Sequence, residues 1–290
     1  MSVAARSRKV REGLLAYAML APLIAVFLAF AYYPFVRIID FALNQKFTNS
    51  DETRFVGVRG IWDTLSSADF LDGLWITVRF MIYTVPAGLI LGVVLATVAN
   101  RRLRGIKIFQ TIFSSTVASS VAVSAVVFYT LINKNAGFFR DVEFISLSSQ
   151  TGALRGVALT SVWQNIGLTF IIVLAGMQAI PDEINEAATL DGYGPIRRFF
   201  RITVPMISPT LMFLAVVLVI HALQAYAQID ILTNGGPAGS TETLLFKIAQ
   251  LQGRTDLQRG ASMAIGLFVV TLIVSMGQYL MLNKRVHYEN

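Results

Sequence analysis

Polar side chains inside two long apolar stretches are the residues of this sequence best suited to bind a ligand. The first set is a run with an apolar neighbour one helical turn away: Trp163, Gln164, Asn165 and Leu168. The second set lies on or beside one face of a predicted helix: Leu218, His221, Ala222, Gln224 and Ala225. Aromatic faces stack on ring carbons, and amides hydrogen-bond to hydroxyl groups without fixed charge, so both sets favour a hydroxylated ligand. The alternative is that these side chains only form hydrogen bonds between neighbouring helices.

Arg79 is the one Lys or Arg residue inside the long apolar stretches. Its side chain either extends toward lipid headgroups or contacts a ligand pathway. Tyr83, Tyr129 and Asn133 are further candidates for such a pathway, although tyrosines near the outer end of a span often mark only the membrane interface.

The composition places these residues in a membrane protein. The chain has 290 residues, of which 55% are hydrophobic and 14% are charged, and it contains no cysteine. A soluble domain carries about 25% charged residues, so the composition argues against a single water-exposed domain. The apolar content excludes disorder, and the absence of cysteine excludes a disulfide-stabilised secreted module.

Six stretches have the length of about 20 apolar residues that a membrane-spanning helix needs. None of them contains Asp or Glu, and they cover residues 13–36, 73–100, 108–133, 156–180, 206–229 and 260–283. The first follows four basic residues but is longer than a cleavable signal sequence, so we interpret it as an uncleaved helix. We therefore predict an all-α integral membrane protein with six transmembrane helices in one domain, residues 1–290.

The charges are distributed as expected for cytoplasmic N- and C-termini. The four segments on the predicted inner side hold 13 Lys and Arg against 6 acids in 51 residues. The three outer segments hold 10 Lys and Arg against 11 acids in 88 residues. The net charge of +7 is thus concentrated on the cytoplasmic side, which follows the positive-inside rule and argues against a nucleic-acid partner.

The longest inner segment, residues 181–205, predicts two short helices joined by a glycine turn. Asp182 is expected to cap the first helix, and Gly192 suits the left-handed position that ends it. Pro195 suits the first turn of the second helix, which Pro205 is expected to stop. Phenylalanines lie among the three arginines of this segment, so the segment predicts a docking surface, with a solvated linker on the membrane as the alternative.

This segment resembles the EAA signature of ABC-importer permease subunits. The matching residues are Glu186-Ala187-Ala188, Asp191-Gly192, Phe200-Arg201-Ile202-Thr203 and Pro205. Residues 232–237 (LTNGGP), followed by Thr241 and Thr243, resemble the MalF-like half of the carbohydrate-uptake class. The resemblance implies the type I importer permease fold and a coupling helix that docks in a cleft of a cytoplasmic ATPase subunit. The coupling residues that it implies are Glu186, Ala187, Ala188, Asp191, Gly192, Arg197, Arg198 and Phe200.

Within this class, residues 194–200 (GPIRRFF) are most similar to the A-type permease of sn-glycerol-3-phosphate and glycerophosphodiester importers. The resemblance implies those substrates, and Arg79 or His221 would then suit a phosphate. A di- or oligosaccharide importer of the maltose or trehalose type is the alternative. The residues of the two polar sets resemble positions that line the maltose-type sugar site, but His221 and Ala222 replace an aromatic and an amide there.

The resemblance also implies the partners. These are a second permease subunit (MalG-like), two ATPase subunits and an extracytoplasmic substrate-binding protein in the bacterial inner membrane. The sequence has no phosphate-binding GxxxxGK[ST] loop, no metal-ligand cluster and no catalytic constellation, so we expect a non-catalytic subunit whose partner binds ATP and Mg. An ion-coupled secondary transporter is the alternative of another class, but the six stretches lack the acidic residues that such carriers usually carry.

Overall fold

The computed structural model describes Leu15 and residues 17–46, 53–101, 104–252 and 256–283. The basic N-terminal residues, part of the predicted loop 101–107, and the C-terminal residues 284–290 with His287 lie outside the described residues. The chain divides into two units, Met1–Leu65 with Leu251–Ile265 and Ser66–Gln250 with Gly266–Asn290, which are described separately. The single domain over residues 1–290 stays a prediction.

The first unit contains helix α1 (Tyr17–Leu43), a short antiparallel hairpin and helix α2 (Gly57–Leu65). The hairpin strands are β1 (Asn44–Lys46) and β2 (Thr53–Phe55), with Gln45 opposite Arg54. Helix α1 ends at Leu43, and the side-chain amide of its C-cap residue Asn44 donates to the Asp40 carboxylate at 2.9 Å. The side chain of Gln258 donates to the Ala42 carbonyl at 3.1 Å. The first helix therefore extends seven residues beyond its predicted end at residue 36.

The second unit holds most of the remaining helices, in the order α3 (Ala68–Ala99), α4 (Ile106–Ser114), α5 (Val121–Ile132), α6 (Gln150–Gln178), α7 (Asp182–Leu190), α8 (Pro195–Met206), α9 (Ser208–Leu223), α10 (Ala227–Leu232) and α11 (Leu244–Gln252). The last two residues of α11 belong to the first unit, and helix α12 (Leu257–Asn283) begins in the first unit and ends in the second. The turn Ser115–Ala118 continues α4 as a 3₁₀ helix, and Glu143–Ile145 form a second 3₁₀ turn.

Helices α3 and α6 pack closely along each other in the second unit. Each begins at a serine N-cap: Ser67 accepts from the Phe70 amide, and Ser149 accepts from the Gly152 amide. A Cβ on Gly92 of α3 would lie 2.7 Å from Thr169 of α6, so only glycine permits this approach. After this point, toward their C-terminal ends, the two helices share an apolar cluster that includes Ala96, Phe170 and Val173.

Four helices of the described chain are long and apolar enough to cross a membrane: Tyr17–Leu43, Ala68–Ala99, Gln150–Gln178 and Leu257–Met281. Two bent helix pairs bring the number to six if each pair is one span. Each of the six predicted stretches overlaps one of these helices or pairs.

The third and fifth stretches differ from the continuous helices that the sequence predicted. The third bends by 107° between Ala118 and Val121, where Ser119 is extended and Ser120 caps α5. The fifth bends by 68° at Ile207, and its helix α9 ends at Leu223 instead of residue 229. A hydropathy window averages over about 20 residues and therefore does not register a break of two or three residues.

Both π-helical turns of the described chain end two residues before a proline. Leu28–Tyr32 precede Pro34 in α1, and Phe199–Thr203 precede Pro205 in α8. Proline has no backbone N–H and its ring crowds the carbonyl four residues earlier, and a wider turn relieves this crowding. The prediction that Pro205 stops the second loop helix is therefore wrong, because α8 continues through it to Met206.

Candidate coupling surface and substrate cavity

The loop between α6 and α9 forms the two short helices that the sequence predicts. The amide of Gly192 donates to the Thr189 carbonyl at 3.1 Å, and that of Tyr193 donates to the Ala188 carbonyl at 2.9 Å. These are the two hydrogen bonds of a Schellman motif, and Gly192 has the left-handed φ of +77° that the motif requires. The N-cap is Pro181 rather than Asp182, which lies in the first turn instead. Pro195 occupies the first turn of α8 as predicted.

The surface of α7 and α8 exposes large apolar side chains beside charges. Leu190 is 89% exposed, Ile196 is 77% exposed and Phe200 is 64% exposed. Glu186 and Ala187 are exposed on the same loop, whereas Ala188 is buried. An apolar surface of this kind is unfavourable in water and is typical of a protein interface.

The arginines of the loop have different surroundings. Arg198 is half-buried and donates to the Thr189 hydroxyl at 3.4 Å, so it connects α8 to α7. Arg197 is exposed, and its guanidinium lies 4.6 Å from the centroid of the Tyr193 ring. An open groove of about 540 Å³ is lined by Asp182, Asn185, Glu186, Thr189, Leu190 and Arg198. Of the predicted coupling residues, the groove therefore brings Glu186 and Arg198 together. Asp191 and Gly192 lie at the adjacent turn.

A cavity of about 380 Å³ lies among α3, α5, α6, α9 and α10 in the second unit. It is lined by eight of the residues that the sequence predicted for a pathway: Gln164, Asn165, Leu168, Leu218, His221, Ala222, Gln224 and Ala225. Eight further residues complete the lining: Phe80, Thr84, Thr116, Val117, Ser119, Val121, Ser161 and Gln228. No lining residue is Asp, Glu, Lys or Arg.

A hydrogen-bonded chain joins three helices at the cavity wall. The Asn165 amide nitrogen donates to the Ser161 carbonyl at 2.8 Å, which directs the Asn165 carbonyl oxygen toward His221 Nδ1, 2.9 Å away. His221 Nδ1–H is therefore the donor, and in a neutral imidazole Nε2 remains an acceptor. On the other side, the Gln228 amide donates to the Ser161 hydroxyl at 3.2 Å.

Two amides on the cavity wall are available to a ligand. Among the described residues, the side chains of Gln164 and Gln224 have no hydrogen-bond partner. Amides and a histidine acceptor, with no fixed charge, match a ligand rich in hydroxyl groups.

Gln224 and Ala225 reach the cavity through a break in the chain and not through a continuous helix. Helix α9 ends at Leu223, so the prediction that His221, Gln224 and Ala225 share one helix face is wrong. The break is held by contacts from α11 and the residue before it: the Thr243 hydroxyl donates to the Ala225 carbonyl at 3.2 Å, and the Tyr226 ring stacks on Phe246 of α11.

Five residues predicted for the pathway do not line this cavity. The Trp163 ring packs against Phe128, with centroids 5.5 Å apart. Tyr129 is 42% exposed on α5. Arg79 and Tyr83 lie on α3 next to the cavity residues Phe80 and Thr84. Asn133 is the C-cap of α5.

Some of the cavity residues that the sequence analysis did not predict could have been recognised, because they are polar residues within apolar stretches. Gln228 lies four residues after Gln224, and Thr116 and Ser119 belong to a hydroxyl-rich run, residues 114–120, in the third apolar stretch. Polar residues within apolar stretches are expected to face a protein interior. Phe80 and Val117 carry no such signal, because apolar residues are equally suited to lipid.

The fold and the cavity define a membrane permease. Residues 88–288 match the family model of the binding-protein-dependent transport system inner membrane component, so the chain belongs to this family. It has the fold of a type I ABC-importer permease and acts as a permease subunit of such an importer. This assignment removes the ion-coupled secondary transporter as an alternative.

The similar proteins include sn-glycerol-3-phosphate transport system permease proteins UgpA. The proteins of Escherichia coli O157:H7 and Salmonella typhimurium are each 30% identical over 290 residues, covering 96% of this chain and 97% of theirs. A chain in the crystal structure of a bacterial ABC transporter involved in the import of the acidic polysaccharide alginate has a TM-score of 0.81 and 23% identity. The match covers 97% of this chain and 99% of that one. A second structure, with an alginate pentasaccharide-bound periplasmic protein, has a TM-score of 0.82 and 21% identity.

Proposed function

We propose that this permease subunit forms half of the translocation pathway for glycerol-3-phosphate or a glycerophosphodiester. The observation that carries the proposal is the 30% identity, over 96% of the chain, with sn-glycerol-3-phosphate permeases. The pathway includes the cavity of about 380 Å³, whose size and amide-rich wall suit a small polyhydroxylated molecule.

The proposed energy source is a partner ATPase that docks on α7 and α8. The exposed Leu190, Ile196 and Phe200 supply the apolar contact, and Glu186 pairs with a basic residue of the ATPase. Two ATPase subunits close on ATP and move the coupling helices of this chain and of a second permease toward each other. The cavity then opens to the outer side, where a binding protein delivers the substrate.

The same proposal places the chain in the bacterial inner membrane with both termini in the cytoplasm. Its support is the excess of Lys and Arg in the predicted inner segments and the exposed α7–α8 surface in the longest of them. ATP and Mg are bound by the partner, and this chain carries no cofactor.

An oligosaccharide is the second candidate substrate. It is favoured by the cavity wall, which carries amides, hydroxyls and a histidine without any Asp, Glu, Lys or Arg. Because no Lys or Arg lines this cavity, the phosphate of a phosphorylated substrate would have to contact cationic residues outside it.

Uptake by the reconstituted complex tests the function. The chain is assembled with its second permease, ATPase and binding protein in proteoliposomes, and ATP-driven uptake of sn-glycerol-3-phosphate is compared with that of maltose and trehalose. We expect uptake of the phosphorylated compound. Uptake of only the sugars would contradict the proposed substrate in favour of the second candidate.

The coupling surface is tested in the same vesicles with a matched pair of acids on α7. Glu186→Gln should lower the uptake per ATP hydrolysed several-fold, whereas Glu183→Gln, which removes another exposed carboxylate of the same helix, should leave it unchanged. Normal coupling in both variants would contradict the role of Glu186.

A further inference from the structure

A second cavity, of about 690 Å³, lies where the C-terminal ends of α3 and α6 meet α7 and α8. Thr97, Asn100 and Arg101 line it from the end of α3, and Met177 lines it from the last turn of α6. The volume is within the range of about 300–1,000 Å³ that is typical of ligand pockets. This cavity shares no lining residue with the amide-lined cavity.

The charged residues in the lining of this cavity are two arginines. Arg101 follows the C-cap of α3 and is exposed, and Arg198 is half-buried on α8. Within the described part of the chain, no Asp or Glu lines the cavity and neither guanidinium lies within 4.0 Å of a carboxylate oxygen. The hydrogen bond from Arg198 to the Thr189 hydroxyl, at 3.4 Å, uses only one of its five N–H groups. Two cations that share a cavity repel each other, and a bound anion would offset this repulsion.

Two asparagine side chains add uncharged hydrogen-bond donors to the same lining. Asn100 is the C-cap residue of α3, and Asn185 lies on α7. Neither side-chain amide forms a hydrogen bond with another residue that the structure describes. A phosphate group has several acceptor oxygens and can accept from guanidinium and amide donors at the same time.

The remaining part of the lining is largely apolar. Phe199 packs on the apolar cluster shared by α3 and α6, whereas Ile196 and Phe200 are exposed. Phe199 and Phe200 belong to the π-helical turn of α8, and π-helical turns occur frequently at functional sites. A free phosphate ion would leave these apolar side chains in contact with water. The lining therefore fits a ligand that combines an anionic group with an apolar part.

The position of the cavity along the spans indicates the source of such a ligand. Thr97 and Met177 lie near the inner ends of the apolar stretches 73–100 and 156–180, and both arginines lie in predicted inner segments. In the proposed topology the cavity is at the boundary between hydrocarbon and cytoplasm, where basic pockets between transmembrane helices bind anionic headgroups. Since the spans themselves supply part of the lining, a lipid of the inner leaflet fits this position better than a side chain of the soluble ATPase.

We propose that this cavity binds an anionic phospholipid of the inner leaflet, with its phosphate on Arg101 and Arg198 and its acyl chains beside Phe200. Guanidinium groups match the geometry of phosphate oxygens. Arg198 connects α8 to α7 through the Thr189 hydroxyl, so a bound lipid holds the two helices of the coupling surface together. The lipid thereby supports the coupling of ATP hydrolysis to transport. This inference rests on the proposed topology and coupling surface, and it does not depend on the identity of the substrate.

Arginine modification tests whether the lipid binds at this cavity. The complete complex is reconstituted in phosphatidylcholine vesicles with and without phosphatidylglycerol and is treated with phenylglyoxal, and mass spectrometry follows each arginine. We expect phosphatidylglycerol to slow the modification of Arg101 and Arg198 several-fold. Arg104 is the control, because it is exposed in the same inner segment as Arg101 but does not line the cavity. Absence of protection would overturn the site, and so would equal protection of Arg104, which would show only a general attraction of basic residues to an anionic membrane.

Two further arms of this measurement distinguish the lipid from other occupants. Free sn-glycerol-3-phosphate is added to the complex in phosphatidylcholine vesicles, and we expect it to give no protection. Protection by this soluble compound would overturn the proposal, because the site would then hold a phosphate compound without an apolar part. Modification that is already slow in phosphatidylcholine alone would also overturn the proposal, because the docked ATPase would then cover the cavity.

Coupling measurements test the consequence of lipid binding. In Arg101→Gln, the fraction of phosphatidylglycerol that gives half-maximal uptake per ATP hydrolysed should rise several-fold, because a charge-assisted contact with the phosphate is lost. Arg101→Lys should lie between this variant and the native protein, and Arg104→Gln should match the native protein. An unchanged lipid requirement in Arg101→Gln would overturn the inference. Absence of uptake by the native complex would instead contradict the proposed substrate, and the modification experiment would still decide the lipid site.

Discussion

Single residues determine how the coupling loop turns. Gly192 adopts a φ of +77°, and a Cβ built on it meets no atom within 4 Å. Substitution there acts only through the backbone, because an L-residue is strained in the left-handed region. The requirement for glycine is thus conformational and not steric.

We predict that Gly192→Ala weakens the α7–α8 turn by roughly 1–2 kcal/mol and uncouples ATP hydrolysis from uptake. Gly194→Ala is the matched control, since Gly194 has a φ of −65° and equally open surroundings. The ratio of uptake to ATP hydrolysis in reconstituted vesicles measures the effect. Equal ratios in both variants would show that the turn geometry is not needed for coupling.

A second pair of single residues, His221 and Asn165, forms a hydrogen bond at the cavity wall that leaves Nε2 of His221 as an acceptor. Asn165→Ala and His221→Ala should each weaken substrate recognition, and their combination should be less than additive by about 1 kcal/mol, since they share one hydrogen bond. The double-mutant cycle compares the KM for uptake in the native protein, the two single variants and the double variant. Trp163→Phe, which alters the ring beside Phe128, should combine additively with His221→Ala. If His221→Ala combined additively with Asn165→Ala as well as with Trp163→Phe, the hydrogen bond between His221 and Asn165 would make no contribution to recognition.

At the scale of elements, the break after α9 depends on a segment distant in sequence. The Leu244 amide at the start of α11 donates to the Thr77 hydroxyl of α3 at 2.9 Å, and that hydroxyl donates in turn to the Gly73 carbonyl. Thr243, the neighbour of Leu244, holds the Ala225 carbonyl. Helix α3 thereby positions the break that exposes Gln224 to the cavity.

We predict that Thr77→Val destabilises the protein by about 1–3 kcal/mol, because it leaves the buried Leu244 amide without a partner. Thr160→Val is the control, since Thr160 is equally buried but bonds only to the Gly156 carbonyl of its own helix. Thermal unfolding of the purified protein in detergent measures the difference. A Thr160→Val variant as unstable as Thr77→Val would refute the importance of the link between the helices.

At the scale of the whole molecule, the topology remains a prediction, and the sequence offers a direct test of it. The chain contains no cysteine, so single cysteines can be introduced at exposed positions without a background. Lys107→Cys lies in a predicted inner segment and Ser148→Cys in a predicted outer one, and both positions are exposed.

In intact spheroplasts, a membrane-impermeant maleimide should label Ser148→Cys and spare Lys107→Cys. Lysed membranes should give labelling of both variants and serve as the control for reactivity. Labelling of Lys107→Cys in intact spheroplasts would reverse the proposed orientation of the chain.

Features encoded by neighbouring residues could be predicted from the sequence alone. The six apolar stretches follow from the cost of burying polar backbone in lipid. The α7–α8 turn follows from a glycine and from hydrogen bonds between residues only three and five positions apart. The pattern of the coupling loop likewise predicted the permease family, because the signature occupies one continuous segment.

Only the tertiary structure decided which polar side chains meet. Asn165 and His221 are 56 residues apart, and Thr77 and Leu244 are 167 residues apart. Arg155 was not among the predicted pathway residues, because it lies just outside the apolar stretch 156–180. Local pattern determines that a helix forms and which residues are polar. The packing of distant helices determines where the helix breaks, what each polar group bonds to and which groups are left for a ligand.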